Sequence, residues 1–243
     1  MNIRSTMRRV RAFTLIPALL LVAIAAPLAV ASAAAQDTGI TTRVQFLHAG
    51  TDLGEVELFI NGDNELDEFG YGDQSDWIEL DPGSVQVTLT VDRAGINYAI
   101  FDAVYPVPAG NDYFAVITDD LLITGVFETE SVVLQGSRVQ IVHASVDTPP
   151  VTVVASGENV DLATQLGFAR TSEPTPLPSG TYDMEVTLAE TGETALTVPG
   201  VVIEDSKSYV LVLTGEPGSE DEPLAGVLLE TDLVEDAAAT PGS

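Results

Sequence analysis

The chain has 243 residues, no cysteine, and a formal net charge of −28 that arises from 37 acidic and 9 basic side chains. The absence of cysteine excludes disulfides, thiolate metal sites and thiol nucleophiles. The negative charge argues against binding to nucleic acid or anionic lipid, and it favours solubility, basic partners or divalent cations.

The N-terminal segment has the three-part layout of a secretory signal peptide. Four arginines precede an uncharged apolar run over residues 12–30, and small residues follow it. We predict a signal peptide over residues 1–35, and a secreted or cell-surface location. A retained membrane anchor is the alternative, because the run nearly reaches the length that spans a bilayer. Cleavage is favoured because Pro17 and Pro27 interrupt the run.

A seven-residue motif occurs twice. Arg-Val-Gln-Phe-Leu-His-Ala at residues 43–49 returns as Arg-Val-Gln-Ile-Val-His-Ala at residues 138–144. The period of about 95 residues is too long for a solenoid and close to the size of one β-sandwich domain. The sequence therefore predicts a first repeat over residues 42–134, a second over 138–231, and a disordered tail over 232–243.

Apolar and polar residues alternate within each repeat, as in half-buried strands. Residues 85–91 carry Val or Leu at every odd position and Gln or Thr between them. The near-continuous apolar runs at 113–117 and 209–213 are typical of strands central to a core. Turn pairs such as Asn61-Gly62 separate the runs. The predicted fold is all-β, with two tandem immunoglobulin-like antiparallel β-sandwiches of about seven strands each.

The linker between the repeats is short. Residues 132–134 are predicted to form the last strand of the first repeat, and Arg138 opens the second, so residues 135–137 remain as linker. Three residues span at most about 10 Å. We therefore expect the two repeats to sit end to end.

The two histidines occupy equivalent positions and are the natural candidates for chemistry. His48 and His143 alternate with apolar residues of the presumed core face, and each is followed four residues later by an aspartate, Asp52 or Asp147. Buried polar groups nearly always have partners. We predict two structural His-Asp pairs in which the carboxylate accepts a ring N–H and fixes the tautomer.

Catalytic signatures are scarce. The sequence contains no Gly-x-Ser-x-Gly elbow, and Ser145 is too close to His143 in sequence for a hydrolase arrangement. Glycoside hydrolysis needs two carboxylates beside a cleft, which 37 acidic residues satisfy trivially. We predict no catalytic residue and no cofactor. The alternative is a secreted hydrolase, or a hydrolase accessory domain, that acts on polysaccharide or peptide.

Acidic residues alternate in one predicted loop, at Asp63, Glu65 and Asp67. Calcium prefers several oxygen ligands, but Glu68 stands where an EF-hand loop requires glycine. The equivalent stretch of the second repeat, residues 158–161, has fewer acids. We favour a solvated loop and assign no metal ligands, while weak calcium binding and a calcium-stabilised structural spacer remain open.

Two further residue types have predicted structural roles. Trp77, the only tryptophan, is expected to pack in a core rather than to form a binding platform. Arg43 and Arg138 lie on the strand face opposite the histidines. They are expected to pair with carboxylates on a neighbouring strand.

The chain resembles the secreted, mostly bacterial proteins that carry the domain of unknown function numbered 4397. The resemblance rests on the two Arg-Val-Gln motifs with their following aspartates, and on Gly83-Ser84 and Gly180-Thr181 before a long strand. It implies a β-sandwich at the cell surface or in the medium with no established catalytic activity. We predict a non-enzymatic interaction or structural module with an unknown protein or glycan partner. Nucleic acid is excluded as a partner, and so is membrane after signal cleavage.

Overall fold

A computed structural model describes the chain over four ranges, which are residues 42–92, 97–120, 122–128 and 137–232. The predicted signal peptide, the predicted strand at 132–134 and the tail beyond Asp232 lie outside the described residues. Within these ranges, the protein forms no helix with the length and apolar character needed to cross a membrane.

The described residues of the first repeat form two four-stranded sheets with a core between them. Its strands are β1 (Arg43–His48), β2 (Val56–Ile60), β3 (Asp63–Phe69), β4 (Ile78–Glu79), β5 (Gly83–Asp92), β6 (Asn97–Val107), β7 (Asn111–Ile117) and β8 (Leu122–Glu128). One sheet has the order β4-β1-β7-β8 and the other β3-β2-β5-β6. Phe46, Leu58, Leu89 and Ile117 are buried between the sheets.

The second repeat is built in the same way. Its strands are β9 (Ser137–His143), β10 (Val151–Ala155), β11 (Val160–Leu166), β12 (Arg170–Thr171), β13 (Thr175–Leu177), β14 (Gly180–Leu188), β15 (Thr194–Ile203), β16 (Lys207–Thr214) and β17 (Ala225–Asp232). The sheet orders are β12-β9-β16-β17, with β13 also paired to β9, and β11-β10-β14-β15. Ile141, Val153, Met184 and Leu211 lie in its core.

The predicted all-β fold in two repeats is confirmed. The Asn61-Gly62 turn joins β2 to β3 with φ values of 53° and 92°, as a tight hairpin turn requires. One pairing in each repeat is parallel, however: β1 with β7, and β9 with β16. A parallel pair needs a long connection, and the strands between the two partners supply it. An alternating sequence pattern carries no information on strand direction.

A third apolar core lies between the two repeats. The sheet containing β1 and β7 faces the sheet containing β9 and β16, and the side chains from both bury one another. Its fully buried members are Leu47, Ala49, Phe114, Val116, Val142, Ala144, Val210, Val212 and Leu229. The end-to-end arrangement expected from the short linker is therefore wrong. The repeats pack side by side through these two sheets.

The third core explains why β7 and β16 are apolar along nearly their whole length. Every residue of either strand after the first is buried. In β7, Tyr113 and Ala115 point into the core of their own repeat, whereas Phe114 and Val116 point into the third core. The prediction of strands central to a core is confirmed, and burial on both faces is the physical reason.

Candidate functional site

Both histidines are fully buried and bond to backbone carbonyls. Nε2 of His48 donates to the carbonyl of Gly54 at 3.0 Å, and Nε2 of His143 donates to that of Pro149 at 3.4 Å. A carbonyl oxygen only accepts, so Nε2 carries the proton in each ring. Each histidine therefore ties the loop that follows its strand to the core.

The predicted His-Asp pairs do not form. Asp52 and Asp147 lie on the exposed side of their loops, while both rings have 0% exposure. The Nδ1 atoms of His48 and His143 have no hydrogen-bond partner among the described residues. Loss of hydration lowers the pKa of both histidines, and the carbonyl bonds oppose this only in part. Both rings are therefore neutral near neutral pH.

Ser145, the hydroxyl nearest to His143 in sequence, has a structural role. Its Oγ donates to the carbonyl of Gly215 and also bonds to Thr148 Oγ1. The hydroxyl thereby fixes the loop after β9 to the end of β16.

Arg43 forms a bidentate ion pair with a carboxylate. Its Nε and Nη2 atoms donate to the two carboxylate oxygens of Asp112, each at 2.8 Å. This confirms the predicted carboxylate on a neighbouring strand, since Asp112 lies opposite Arg43 in β7. In the second repeat, Ser208 occupies the corresponding position, and Arg138 contacts its hydroxyl at 3.4 Å.

Trp77 packs at the edge of the third core, which agrees with its predicted structural role. Its ring lies 5.1 Å from that of Phe114, and the guanidinium carbon of Arg43 lies 4.4 Å from the Trp77 centroid. Such a cation–π contact adds to the ion pair. The cluster also reaches the second repeat, because Thr231 donates to Asp112.

Carboxylates from both repeats approach one another beside the third core. Asp119 accepts backbone N–H groups from Thr51 and Asp52, and Glu216 accepts the Thr51 hydroxyl at 3.0 Å. Desolvation and then the neighbouring carboxylates, Glu216 first, raise the pKa of Glu222. Sequence reasoning did not identify this group, since it depends on how the repeats pack.

The acidic stretch predicted as a loop is strand β3, at the edge of its sheet. The Asn61-Gly62 turn folds it back against β2. Its charged side chains are all exposed, whereas the apolar Leu66 is half-buried and Phe69 is buried. Charges on an edge strand oppose pairing with other chains. Across the described ranges, no group of three or more His, Asp and Glu side chains is arranged to hold a metal ion.

The first repeat contains a partly open cavity of about 220 Å³ between its two sheets. Phe46, Val87 and Ala115 are buried and form its inner wall, while Leu80 and Tyr105 are half-buried. Pro106 is exposed, so the mouth lies on this side. The lining is mostly apolar, and Tyr105 and Tyr113 are the lining residues with a polar side-chain atom. No short motif marks such a cavity, because it depends on side-chain sizes from several strands.

Comparison with known families identifies the repeated domain. The sequence pattern of the domain of unknown function DUF4397 matches the chain twice, over residues 42–134 and 137–241. The chain belongs to this family. The resemblance inferred from the repeated motif is thereby confirmed, and the two repeats are two tandem DUF4397 copies. No curated protein matches the chain.

One similar solved structure is a carbohydrate-binding module of family 26 from Eubacterium rectale Amy13K, crystallised with maltoheptaose. It is 12% identical, and the match covers 80% of this chain and 98% of that chain, with a TM-score of 0.23. At that TM-score the likeness carries neither a fold nor a ligand over to this chain.

Three positions that line the cavity carry larger side chains in the second DUF4397 copy. By strand register, Val85, Val87 and Ala115 correspond to Tyr182, Met184 and Leu211. These three larger side chains are 6%, 0% and 0% exposed and belong to the core of the second copy. The Tyr182 hydroxyl donates to the carbonyl of Pro178 at 2.9 Å.

In each DUF4397 copy, a serine forms two hydrogen bonds to the first strand, which the sequence analysis did not predict. Ser75 Oγ accepts the N–H of Phe46, and Gln45 Nε2 donates to the Ser75 carbonyl, both at 2.9 Å. Ser172 and Gln140 repeat this arrangement in the second copy. The signal for it was the glutamine that both Arg-Val-Gln motifs share.

Proposed function

We propose that the protein is a secreted or cell-surface module without catalytic activity, which holds two DUF4397 domains in fixed geometry for contact with a protein or glycan partner. The observation that carries this proposal is the third core. Domains joined only by a linker move relative to one another, whereas a large apolar interface fixes them. Phe114, Val210 and Leu229 are each 1% exposed in that interface.

Polar contacts between the copies support the same fixed geometry. Thr214 Oγ1 donates to the carbonyl of Ala49 at 3.0 Å, and Thr51 Oγ1 donates to Glu216 at 3.0 Å. These bonds require a particular register between the two sheets. An interface with both apolar burial and directional bonds suits a rigid module.

The histidines support the absence of catalysis. Their Nε2 protons are held by backbone carbonyls inside the protein, so both rings serve to position loops. The secreted location is proposed from the signal-like residues 1–35.

The test is binding of the fluorescently labelled protein to intact cells of the producing organism. We expect saturable binding that soluble envelope protein or polysaccharide competes away, with no sugar or peptide released over time. The Phe114→Ala variant loosens the third core and should bind more weakly, whereas Tyr98→Ala, at a site 49% exposed, is the matched control. Time-dependent release of sugar or peptide would contradict the proposal.

A hydrolase is the second candidate, and the raised pKa of Glu222 favours it, because a general acid must hold its proton. Its neighbours Asp119 and Glu216 come from different copies, so the group exists only in the packed pair. This candidate predicts that Glu222→Gln abolishes hydrolysis of a polysaccharide or peptide pool. Glu220→Gln, on the exposed side of the same loop, should leave that activity unchanged.

A further inference from the structure

The cavity of the first DUF4397 copy has the dimensions of a small-molecule site. Its volume is about 220 Å³. Apolar cavities of about 150 Å³ already bind benzene. The space therefore suits a molecule of roughly one or two rings. We propose that this cavity binds a small, uncharged aromatic molecule, a role that does not depend on the interaction function proposed above.

The lining favours an aromatic ligand. Phe46, Tyr105 and Tyr113 contribute three rings from three different strands. Aromatic rings prefer offset or edge-to-face contacts with one another. The remaining lining residues are aliphatic, so a ligand that enters loses its hydration and must be apolar itself.

The exposure of the lining residues indicates where a ligand can enter the cavity. Leu80 and Tyr105 are half-buried and Pro106 is exposed, whereas Phe46 and Ala115 at the inner wall are buried. This gradient from exposed to buried side chains leads from solvent to the space between the sheets. Tyr105 and Tyr113 are the lining residues whose side chains carry a hydrogen-bonding group.

Charge excludes anions from the site. Exposed Glu79 and Asp81 flank Leu80 at the mouth, and none of the described lining side chains is basic. The chain as a whole carries a net charge of −28. An anionic ligand would meet repulsion and find no counter-charge. A cationic ligand would likewise lose its hydration without gaining a counter-charge, because none of the lining side chains is acidic. The ligand class is therefore uncharged.

The second copy shows that the fold accepts larger side chains at these positions. Met184 and Leu211 occupy the corresponding positions there, and both are fully buried in the core. An empty cavity lowers stability in proportion to its volume. The smaller side chains of Val87 and Ala115 therefore help to keep the cavity of the first copy open, although the fold accepts larger residues at both positions.

The test uses 2-naphthol, which is uncharged at neutral pH, and 2-naphthalenesulfonate, which has the same rings and a negative charge. Calorimetric titration of the full protein should show saturable, one-to-one binding of 2-naphthol. We expect the sulfonate to bind at least tenfold more weakly. Equal binding of the two probes, or no saturable binding of 2-naphthol, would overturn the proposal.

The variants come from the second copy itself. Ala115→Leu and Val87→Met fill the cavity and should each weaken 2-naphthol binding at least tenfold. Val104→Ala removes an apolar side chain that is 64% exposed on the outer face, and it should leave binding unchanged. Unaltered affinity in both filled variants would refute a site in the cavity.

A measurement on the unsubstituted protein covers the case in which a filled variant does not fold. Nuclear Overhauser effects between 2-naphthol and the ring protons of Tyr113 or Phe46 should appear if the ligand enters the cavity. Contacts to the exposed side chains of Tyr98, Ile100 or Val104 without any to those rings would place the ligand on the surface and refute the proposal.

Discussion

The two DUF4397 copies share strand register but differ in the side chains that the register places inside. In the first copy, Val87 and Ala115 line an open cavity, whereas the larger Met184 and Leu211 occupy the corresponding positions in the core of the second. The backbone therefore fixes where a site can exist, and side-chain size decides whether it does. The two copies thus share a scaffold but pack its interior with different side chains.

The copies also differ where they meet. Phe114 and Val210 occupy equivalent positions in the third core, and both are 1% exposed. Phe114 additionally contacts Trp77, with ring centroids 5.1 Å apart. The first copy thus supplies the larger apolar group to a shared interface. This asymmetry allows each side of the interface to be tested against the other.

The largest effect is expected for Phe114→Ala. Removing a fully buried phenylalanine costs about 3–5 kcal/mol of unfolding free energy, because contacts are lost and a cavity remains. Val210→Ala removes fewer atoms from the same core and should cost less. Urea unfolding measures both, with the exposed Tyr98→Ala as control. A Phe114→Ala protein no less stable than this control would contradict the third core.

A similar comparison applies within the sandwiches. Leu211→Ala should cost about 2–5 kcal/mol, because it opens a cavity in a filled core. Val87→Ala in the first copy only enlarges a space that is already open, so we expect a smaller loss. Chemical unfolding measures the loss of unfolding free energy in each of the two variants. A larger cost for Val87→Ala would mean that the first copy is the more tightly packed.

The sequence predicted the features that depend on local pattern. Alternation over residues 85–91 gave strand β5, and the uninterrupted apolar residues 113–117 gave a central strand. These predictions succeeded because burial follows the side-chain period along one strand. The repeated motif likewise indicated the duplication, since identical residues fold alike.

The sequence could not give the features that depend on distant contacts. His48 has a carbonyl partner because its loop turns back over the ring, a path that the position of Asp52 does not reveal. The packing of the copies depends on the outer faces of two sheets, which a count of linker residues cannot show. The carboxylates beside Glu222 come together only after that packing.

The ion pair offers a third comparison between the copies. Asp112→Ala removes charged hydrogen bonds to Arg43, which are worth about 1.5–3 kcal/mol. Ser208→Ala, the matched change in the second copy, removes only a long hydroxyl contact to Arg138 and should cost about 0.5–1.5 kcal/mol or less. Thermal unfolding at constant pH compares the stability losses of the two variants. Equal losses would show that the bidentate Arg43–Asp112 pair adds nothing to stability.

The histidines make stability depend on pH. Their folded pKa values are lowered below the unfolded value of about 6.5. The unfolded chain therefore binds more protons in this range, so stability is present above about pH 6.5 and decreases as the pH falls below it. In the His48→Gln/His143→Gln variant, each glutamine keeps a side-chain hydrogen-bond donor but does not take up a proton in this pH range. We expect its melting temperature to fall less between pH 7.5 and 5.5.

The contribution of Glu222 to the pH dependence of stability must be separated from that of the histidines. Its raised pKa acts in the opposite direction, because the folded protein then holds a proton that the unfolded chain releases. The double histidine variant retains Glu222, so the difference between the two pH profiles isolates the histidines. Identical pH profiles would show that protonation of the two histidines does not affect folding stability.

The smallest effect is expected for calcium. Strand β3 exposes Asp63, Glu65 and Asp67 at a sheet edge, and the described residues hold no group arranged to bind a metal. Calcium and magnesium at equal ionic strength should therefore raise the melting temperature equally, by screening the net charge of −28. A rise specific to calcium requires binding to the folded state. The calcium-stabilised spacer would be supported if a chelator reversed this rise and the Asp63→Asn/Asp67→Asn variant abolished it. The exposed Glu158→Gln variant of the second copy is the control and should retain the rise.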